Sequence, residues 1–332
     1  MLHLHVGPQL QALDGAVHLQ EGVQVHGLHL HCWVIGELLS SMGGMHVIAC
    51  ESNGNLNVAA GFDRLRGTPN APFAARVEGI PVIGRGRIVI WEGASLWMLK
   101  AEQAIAELRA HAHHAIQLTF QLEGVFEIEV ANERLTGPVT AIASDAPHNF
   151  RASGAVAFLF IAPESPVGRA LSQAVFVDRP YANMSNRLVG FLDDLRQCFD
   201  TARIDDAAIQ LGRRILSSLP LADESVLPDA RVLAMIDYAR KHLDDVVTLP
   251  ASATSIGLSE SRARHLFVAH TGLPFKTYVL WLRLERAVAL IAMGKPLTQA
   301  AHEAGFADSA HFSRTFKRTF GLPAAALRFG QG

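Results

Sequence analysis

Only three cysteines, Cys32, Cys50 and Cys198, occur in 332 residues, and none is spaced like a metal knuckle. An odd and sparse set argues against a disulfide framework and fits a reducing compartment. Long apolar runs are missing as well. The longest, such as Ala155–Ala162, are strand length and far below the roughly 20 residues that a membrane helix requires. No basic segment followed by an apolar core opens the chain, so a secretion signal is not expected and the cytoplasm is the expected location. No Gly-x-x-x-x-Gly-Lys phosphate loop is present, and no nucleophile stands beside a recognisable base. Enzyme chemistry is therefore not legible in the motifs.

What is present is an uneven distribution of charge. The net charge of −2 conceals two opposed parts: residues 229–332 hold 13 Lys+Arg against 8 Asp+Glu, and residues 1–228 hold 16 against 23. A basic end on an acidic body suits a polyanion-binding module joined to something with another task. Apolar residues make up 49% and charged residues 18%, enough for a substantial core in more than one domain.

Texture divides the chain further. Seven of the 16 histidines lie in the first 46 residues, where neither a period of 2 nor one of 3.6 persists. Residues 1–85 are accordingly expected to be weakly structured, or else an extension translated from a start codon placed too early. His26, His29, His31 and Cys32 have metal-ligand chemistry, but compositional noise is the preferred reading. From 86 to 165 the pattern is β. Ile116–Leu122 alternates strictly, Glu123-Gly124 turns the chain, and Val125–Val130 alternates again. Short strands at such intervals predict a small barrel or jelly roll. Residues 166–222 read as helices, with apolar residues three and four apart at Leu188, Phe191, Leu192, Leu195 and Phe199. These either cover the barrel or form a dimer seam. Residues 223–228 read as a linker, and Asp229 as the N-cap of the next helix.

The last hundred residues repeat themselves. In the second copy, about 297–320, Thr298 is expected to cap a short helix, Gly305 to turn the chain and Asp308 to cap the following helix. Phe312, Phe316 and Phe320 recur every four residues and form a buried stripe. The opposite face then carries Ser309, Ala310, His311, Ser313 and Arg314, placed for base edges, with Lys317 and Arg318 behind them for phosphates. In the first copy, about 249–271, Gly257 turns the chain, Ser259 caps the second helix, and Ser261, Arg262, Arg264 and His265 face outward. Between the copies, Phe275–Ala292 predicts a helix of about five turns, with Trp281, Leu284, Val288 and Ile291 on its inner side. Each copy has the layout of a helix-turn-helix, and two on one spacer suit two major-groove segments of duplex DNA. The competing reading is a helical bundle with a basic surface.

Residues 229–330 resemble the DNA-binding domain of the AraC/XylS family. The matching elements are Ile256-Gly257-Leu258-Ser259, Leu282–Ala287, Ala304-Gly305-Phe306 and the run from Ser309 to Pro323. Val268-Ala269-His270 departs from the family's usual basic residues. The resemblance implies an α+β protein: a cupin-like β-barrel sensor domain followed by an all-α domain with two helix-turn-helix units joined by a long helix. It implies a transcription regulator, an activator, partnered by double-stranded DNA, RNA polymerase, a small-molecule effector and a second copy of the chain. Metal-binding cupins hold an ion with a His-x-His pair, a carboxylate and a later histidine. Here His111, His113 and His148 match three positions, while Gln117 or Gln121 stands where the carboxylate would be. A neutral amide binds a divalent ion more weakly, so no cofactor is expected. The missing carboxylate also weighs against the alternative of a metal-dependent cupin enzyme.

Overall fold

The computed structural model describes residues 31–35, 45–52, 55–62, 83–101, 104–106, 109–201, 205–222 and 229–327. Residues 1–76 make up a separate unit. Within it β1 (His31–Ile35), β2 (Met45–Ser52) and β3 (Asn55–Phe62) form an antiparallel sheet in the order β1-β2-β3. Val34 pairs with Ile48, and Ala49 with Val58. Weak structure was expected over 1–85, and at these strands regular pairing is found instead. His31 and Cys32 open β1, whereas His26 and His29 lie outside the described residues, as does the expected linker 223–228.

The second unit begins at Val77. Its strands are β4 (Ile83–Trp91), β5 (Ala94–Ala101), β6 (Ile105–Ala106), β7 (Ile116–Gln121), β8 (Val125–Val130), β9 (Glu133–Thr136), β10 (Val139–Ile142), β11 (His148–Ser153), β12 (Ala155–Ile161) and β13 (Tyr181–Asn183). They build two facing antiparallel sheets, ordered β13-β10-β7-β12-β5-β4 and β6-β11-β8-β9. Trp97, Leu99, Phe126, Ile128, Phe150, Phe158 and Phe160 fill the space between them. This is the cupin-like barrel, and its hairpins turn where glycine or left-handed residues permit, at Gly124 and at Ala131-Asn132.

Strand β7 departs from the simple rule that an alternating strand has one wet face. Ile116, Leu118 and Phe120 are buried as expected, but so are Gln117 and Thr119. The large sheet is covered on both sides. Its interior side faces the small sheet, and its outer side is packed under helices.

Those helices are α1 (Pro166–Val175), α2 (Ser185–Leu188), α3 (Leu192–Asp200) and α4 (Asp205–Ser217). Leu171, Leu188, Leu192, Leu195, Leu211 and Ile215 pack on Leu96, Met98, Leu118 and Leu159 of the sheet. Of the two expected roles for this segment, covering the barrel is the one observed. The periodic run from Asn186 to Phe199 is not one helix. A 3₁₀ turn at Val189–Phe191 separates α2 from α3, and glycine at position 190 lowers the cost of the break.

The remaining helices are α5 (Ala230–Lys241), α6 (Leu249–Ser255), α7 (Glu260–Thr271), α8 (Phe275–Ala292), α9 (Leu297–Glu303) and α10 (Ser309–Phe320). Asp229 caps α5 by accepting from Arg231 N at 2.9 Å. Thr298 does not cap α9. The helix starts two residues earlier than such a cap would give, behind Pro296, which serves as N-cap without a side-chain bond. With Leu297 already helical, Thr298 lies inside the first turn, past the position from which a hydroxyl accepts from the N-terminal amides. No helix among the described residues is long and apolar enough to cross a membrane.

Candidate nucleic-acid interface

Each half of the repeat is built from a short helix, a glycine turn and a longer helix. In the first, α6 ends at Gly257 with φ +69°, and Leu258 N donates back to Ala253 O at 2.9 Å. In the second, α9 ends at Gly305 with φ +83°, and Phe306 N donates to Ala301 O at 3.0 Å. The glycines have different reasons. Open space surrounds Gly257, so only its left-handed backbone demands glycine, whereas a Cβ at Gly305 would also stand 3.0 Å from Arg283 Nε.

Side-chain caps then start the longer helices. Ser259 Oγ accepts from Arg262 N at 3.4 Å, and Asp308 Oδ1 accepts from His311 N at 2.5 Å. The Asp308 carboxylate also lies at the positive end of the helix dipole. Phe267 and Ala263 bury the inner face of α7; Phe312, Thr315, Phe316 and Phe320 bury that of α10. Of these, Thr315 was not part of the expected stripe.

Every residue expected on the outer face of α7, namely Ser261, Arg262, Arg264 and His265, is exposed. On α10 Ala310, Arg314, Lys317 and Arg318 are exposed, while Ser309, His311 and Ser313 are half-buried. His311 is partly occupied, its ring 5.4 Å from that of Phe306 in an edge contact. Arg264 is engaged by Glu260 one turn earlier. Arg262, Arg314, Lys317 and Arg318 form no ion pair among the described residues.

Helix α8 joins the two halves over 18 residues, roughly 27 Å at 1.5 Å per residue. Trp281, Leu284 and Val288 are buried as its pattern requires, and Ile291 is only partly covered. Phe275, Tyr278, Val279, Leu282 and Ala287 are buried too. So much coverage exceeds one stripe, because α8 touches both halves and the barrel.

The contact with the barrel is the part that sequence did not reveal. Phe320, the last residue of α10, has its ring 5.2 Å from Trp97, 5.9 Å from Phe160 and 5.9 Å from Trp281. Beside it runs a polar chain. Tyr278 Oη donates to Glu164 Oε1, and His114 forms ion pairs of 3.3 Å with both Glu164 and Asp145. Burial works against a charge on His114, but the Asp145 and Glu164 carboxylates outweigh it and push its pKa up to about 9. Burial likewise opposes ionisation of Glu164, yet His114 and Tyr278 hold that carboxyl below the usual range. Glu285, one turn beyond Trp281, is pushed up to about 7 by burial and by Glu164. The sequence signs of this junction are a tyrosine and a glutamate on the apolar side of α8, both out of place on a purely hydrophobic stripe.

Inside the barrel His111, His113 and His148 come together, with one ring nitrogen of each within 4.8 Å of the others. His111 and His148 are locked by a pair of backbone hydrogen bonds of 2.9 Å. Burial lowers all three, His111 and His148 to about 4 and His113 to about 3, where the neighbouring imidazoles add to the effect. Gln117 Oε1 lies 2.9 Å from His113 Nε2. Gln121 is elsewhere, its amide bonded to Gly124 O in the hairpin turn.

Two capped helices carrying basic outer faces on one rigid spacer define a tandem helix-turn-helix domain. Residues 252–329 match the family model described as a helix-turn-helix domain. The probable transcriptional regulator LumQ of Photobacterium leiognathi is 31% identical over 116 residues, 35% of this chain and 47% of that protein. The transcriptional activator RhaS of Escherichia fergusonii is 34% identical over 116 residues, 35% of this chain and 41% of that protein. The C-terminal part of the chain is thus similar to the helix-turn-helix domains of named transcription regulators. The alignments span under half the length of these curated relatives. The crystal structure of ToxT from Vibrio cholerae O395 superposes with a TM-score of 0.46 at 11% identity, over 72% of this chain and 98% of that one.

Proposed function

We propose that the chain is a sequence-specific regulator of transcription that grips duplex DNA with α7 and α10. The observation that carries this reading is the duplication: two helices of the same construction, each N-capped, each basic on its outer face, held on one spacer. In this reading Ser261, Arg262, Arg264 and His265 of the first unit face base edges, as do Ser309, Ala310, His311, Ser313 and Arg314 of the second. Lys317 and Arg318 meet phosphates. Major grooves on one face of the duplex recur every ~34 Å, and a spacer helix of about 27 Å suits two neighbouring grooves.

The domain order proposed is an N-terminal segment to 85, the barrel over 86–165, covering helices over 166–222, a linker over 223–228 and the DNA-binding domain over 229–330. The protein works in the cytoplasm, as an activator like the named relative, with RNA polymerase as partner. A second copy of the chain and a small-molecule effector complete the assembly. A cavity of about 170 Å³ between barrel and DNA-binding domain, lined by Trp97, Trp281, Phe320, Arg240 and Glu285, offers room for such an effector. The space at the three histidines is about 30 Å³, room for an ion or a water or two but not for an organic substrate, which disfavours the alternative of a metal-dependent enzyme.

Selection of duplexes from a random library with the purified chain, followed by hydroxyl-radical footprinting, tests the reading. Protection in two patches about one helical turn apart is expected. Failure to enrich any sequence overturns it.

A further inference from the structure

We infer that the cavity between barrel and DNA-binding domain takes a small organic cation, an amine or quaternary ammonium compound, held by the Glu285 carboxylate against tryptophan and phenylalanine rings. The ligand class is new; that the cavity is an effector site rests on the proposed function. At about 170 Å³ the space lies below the roughly 300 Å³ at which pockets for drug-sized molecules begin, so its occupant is small.

Aromatic rings form most of the wall. Trp97 and Phe160 stand on the barrel side, Trp281 and Phe320 on the helical side, and all four are buried. Trp97 lies 5.1 Å from Phe160 and 5.2 Å from Phe320, and Trp281 lies 5.9 Å from Phe320. Donors on this wall are already committed. Trp97 Nε1 donates to Ser95 Oγ at 3.0 Å, and Ala162 N to Gly93 O at 2.9 Å. The indole of Trp281 hydrogen-bonds Glu285, one turn further along α8. An anion or a neutral acceptor therefore finds little to bind it. The rings attract a cation through the negative potential of their faces, tryptophan most strongly.

Charge points the same way. Glu285 is half-buried and lines the cavity. Its carboxyl has no ion-pair partner among the described residues. Arg240 of α5 borders the same space, but it is exposed and beyond ion-pair distance, so water solvates it. Glu92, in the turn between β4 and β5, adds a second carboxylate to the lining. Burial and the charge on Glu164 push the Glu285 carboxyl up to about 7, the mark of a negative group without compensation. A cation seated on the rings supplies the missing partner, in surroundings where the low dielectric strengthens the attraction.

The walls come from both parts of the molecule. A cation in the cavity touches Trp97 of the barrel and Trp281 and Glu285 of α8 together, and so fastens the spacer helix to the barrel.

The test titrates the full chain at constant ionic strength with choline, with its uncharged isostere 3,3-dimethylbutan-1-ol and with the anion 3,3-dimethylbutanoate, following tryptophan emission. Choline is expected to give a saturable change and to bind at least about tenfold more tightly than either isostere. Glu285→Gln, checked for an unaltered circular dichroism spectrum, should lose most of that preference. Affinity for choline should also rise by up to about tenfold between pH 6 and pH 8, following the ionised fraction of a group that titrates near 7, and Glu285→Gln should abolish the rise. Around Glu285, Glu164 stays ionised and His114 cationic over that range; Arg240, Glu92 and Tyr278 complete the charged and titratable set. Equal or tighter binding of either isostere, or no saturable change with choline, overturns the cation site, and the wild-type series decides this even if the variant misfolds. Choline binding that leaves affinity for the selected duplex unchanged would keep the cation site and remove its role as an effector site.

Discussion

Tyr278, in the first turn of the spacer helix, donates its hydroxyl hydrogen bond to Glu164, the residue just before the cap of the first helix after the barrel. One bond therefore ties the DNA-binding domain to the barrel, and His114 and Asp145 extend it inward. Tyr278→Phe removes the donor and leaves a buried carboxylate short of one partner. We expect a loss of roughly 1–3 kcal/mol, in the range for hydrogen bonds to charged groups, measured by denaturant unfolding. In a double-mutant cycle with Glu164→Gln the two changes should be non-additive; strict additivity would show that the bond contributes nothing.

Arg314 and Arg318 lie on the same helix but are assigned different partners. Arg314→Ala should weaken binding to the selected duplex by roughly 1–3 kcal/mol and relax preference at one position. Arg318→Ala should weaken all duplexes alike and flatten the slope of log affinity against log salt by about 0.9, the value for one phosphate contact on duplex DNA. Equal salt slopes in the two variants would undo the assignment.

The turn glycines provide a graded comparison. Gly257→Ala meets open space and pays only for a left-handed backbone, about 1–2 kcal/mol. Gly305→Ala pays the same and also presses on Arg283 Nε. Thermal unfolding should place Gly305→Ala below Gly257→Ala, and the reverse order would contradict the role given to Arg283.

Glu285 makes stability depend on pH in a definite direction. Its carboxyl is raised to about 7 in the folded chain, from an ordinary 4.5, by burial first and by Glu164 second. An acid with a raised folded pKa costs nothing below its unfolded value. The cost grows as pH rises through the interval and is complete above about 7. Glu285→Gln should therefore match the wild type near pH 4.5 and exceed it at pH 8, by on the order of 1–3 kcal/mol after allowance for partial exposure. Parallel stability curves across that interval would show that Glu285 ionises without hindrance.

Much of this was legible along the chain because the signals are local. A left-handed glycine, a serine or aspartate cap three residues before an amide, and phenylalanines at every fourth position act over one or two helical turns. Gly257, Gly305, Ser259, Asp308 and the bounds of α8 could be read for that reason. Thr298 was misread because two starts were available to α9, and Pro296 favoured the earlier one. The run from Asn186 to Phe199 kept its apolar face through a 3₁₀ turn, so periodicity alone could not reveal the break. Gln117 and Thr119 had polar labels suited to solvent, and only the second sheet made their side an interior.

The sequence by itself determined the two helix-turn-helix units, their caps and turns, and the division between a β-rich part and a helical part, since each depends on neighbours a few residues away. Only the tertiary structure decided that α1 to α4 cover the large sheet, that Phe320 closes the barrel against Trp97, and that three histidines from two separate stretches meet behind it. Those contacts join residues many positions apart in the chain. Their geometry depends on how sheets and helices pack in three dimensions, which no local pattern records.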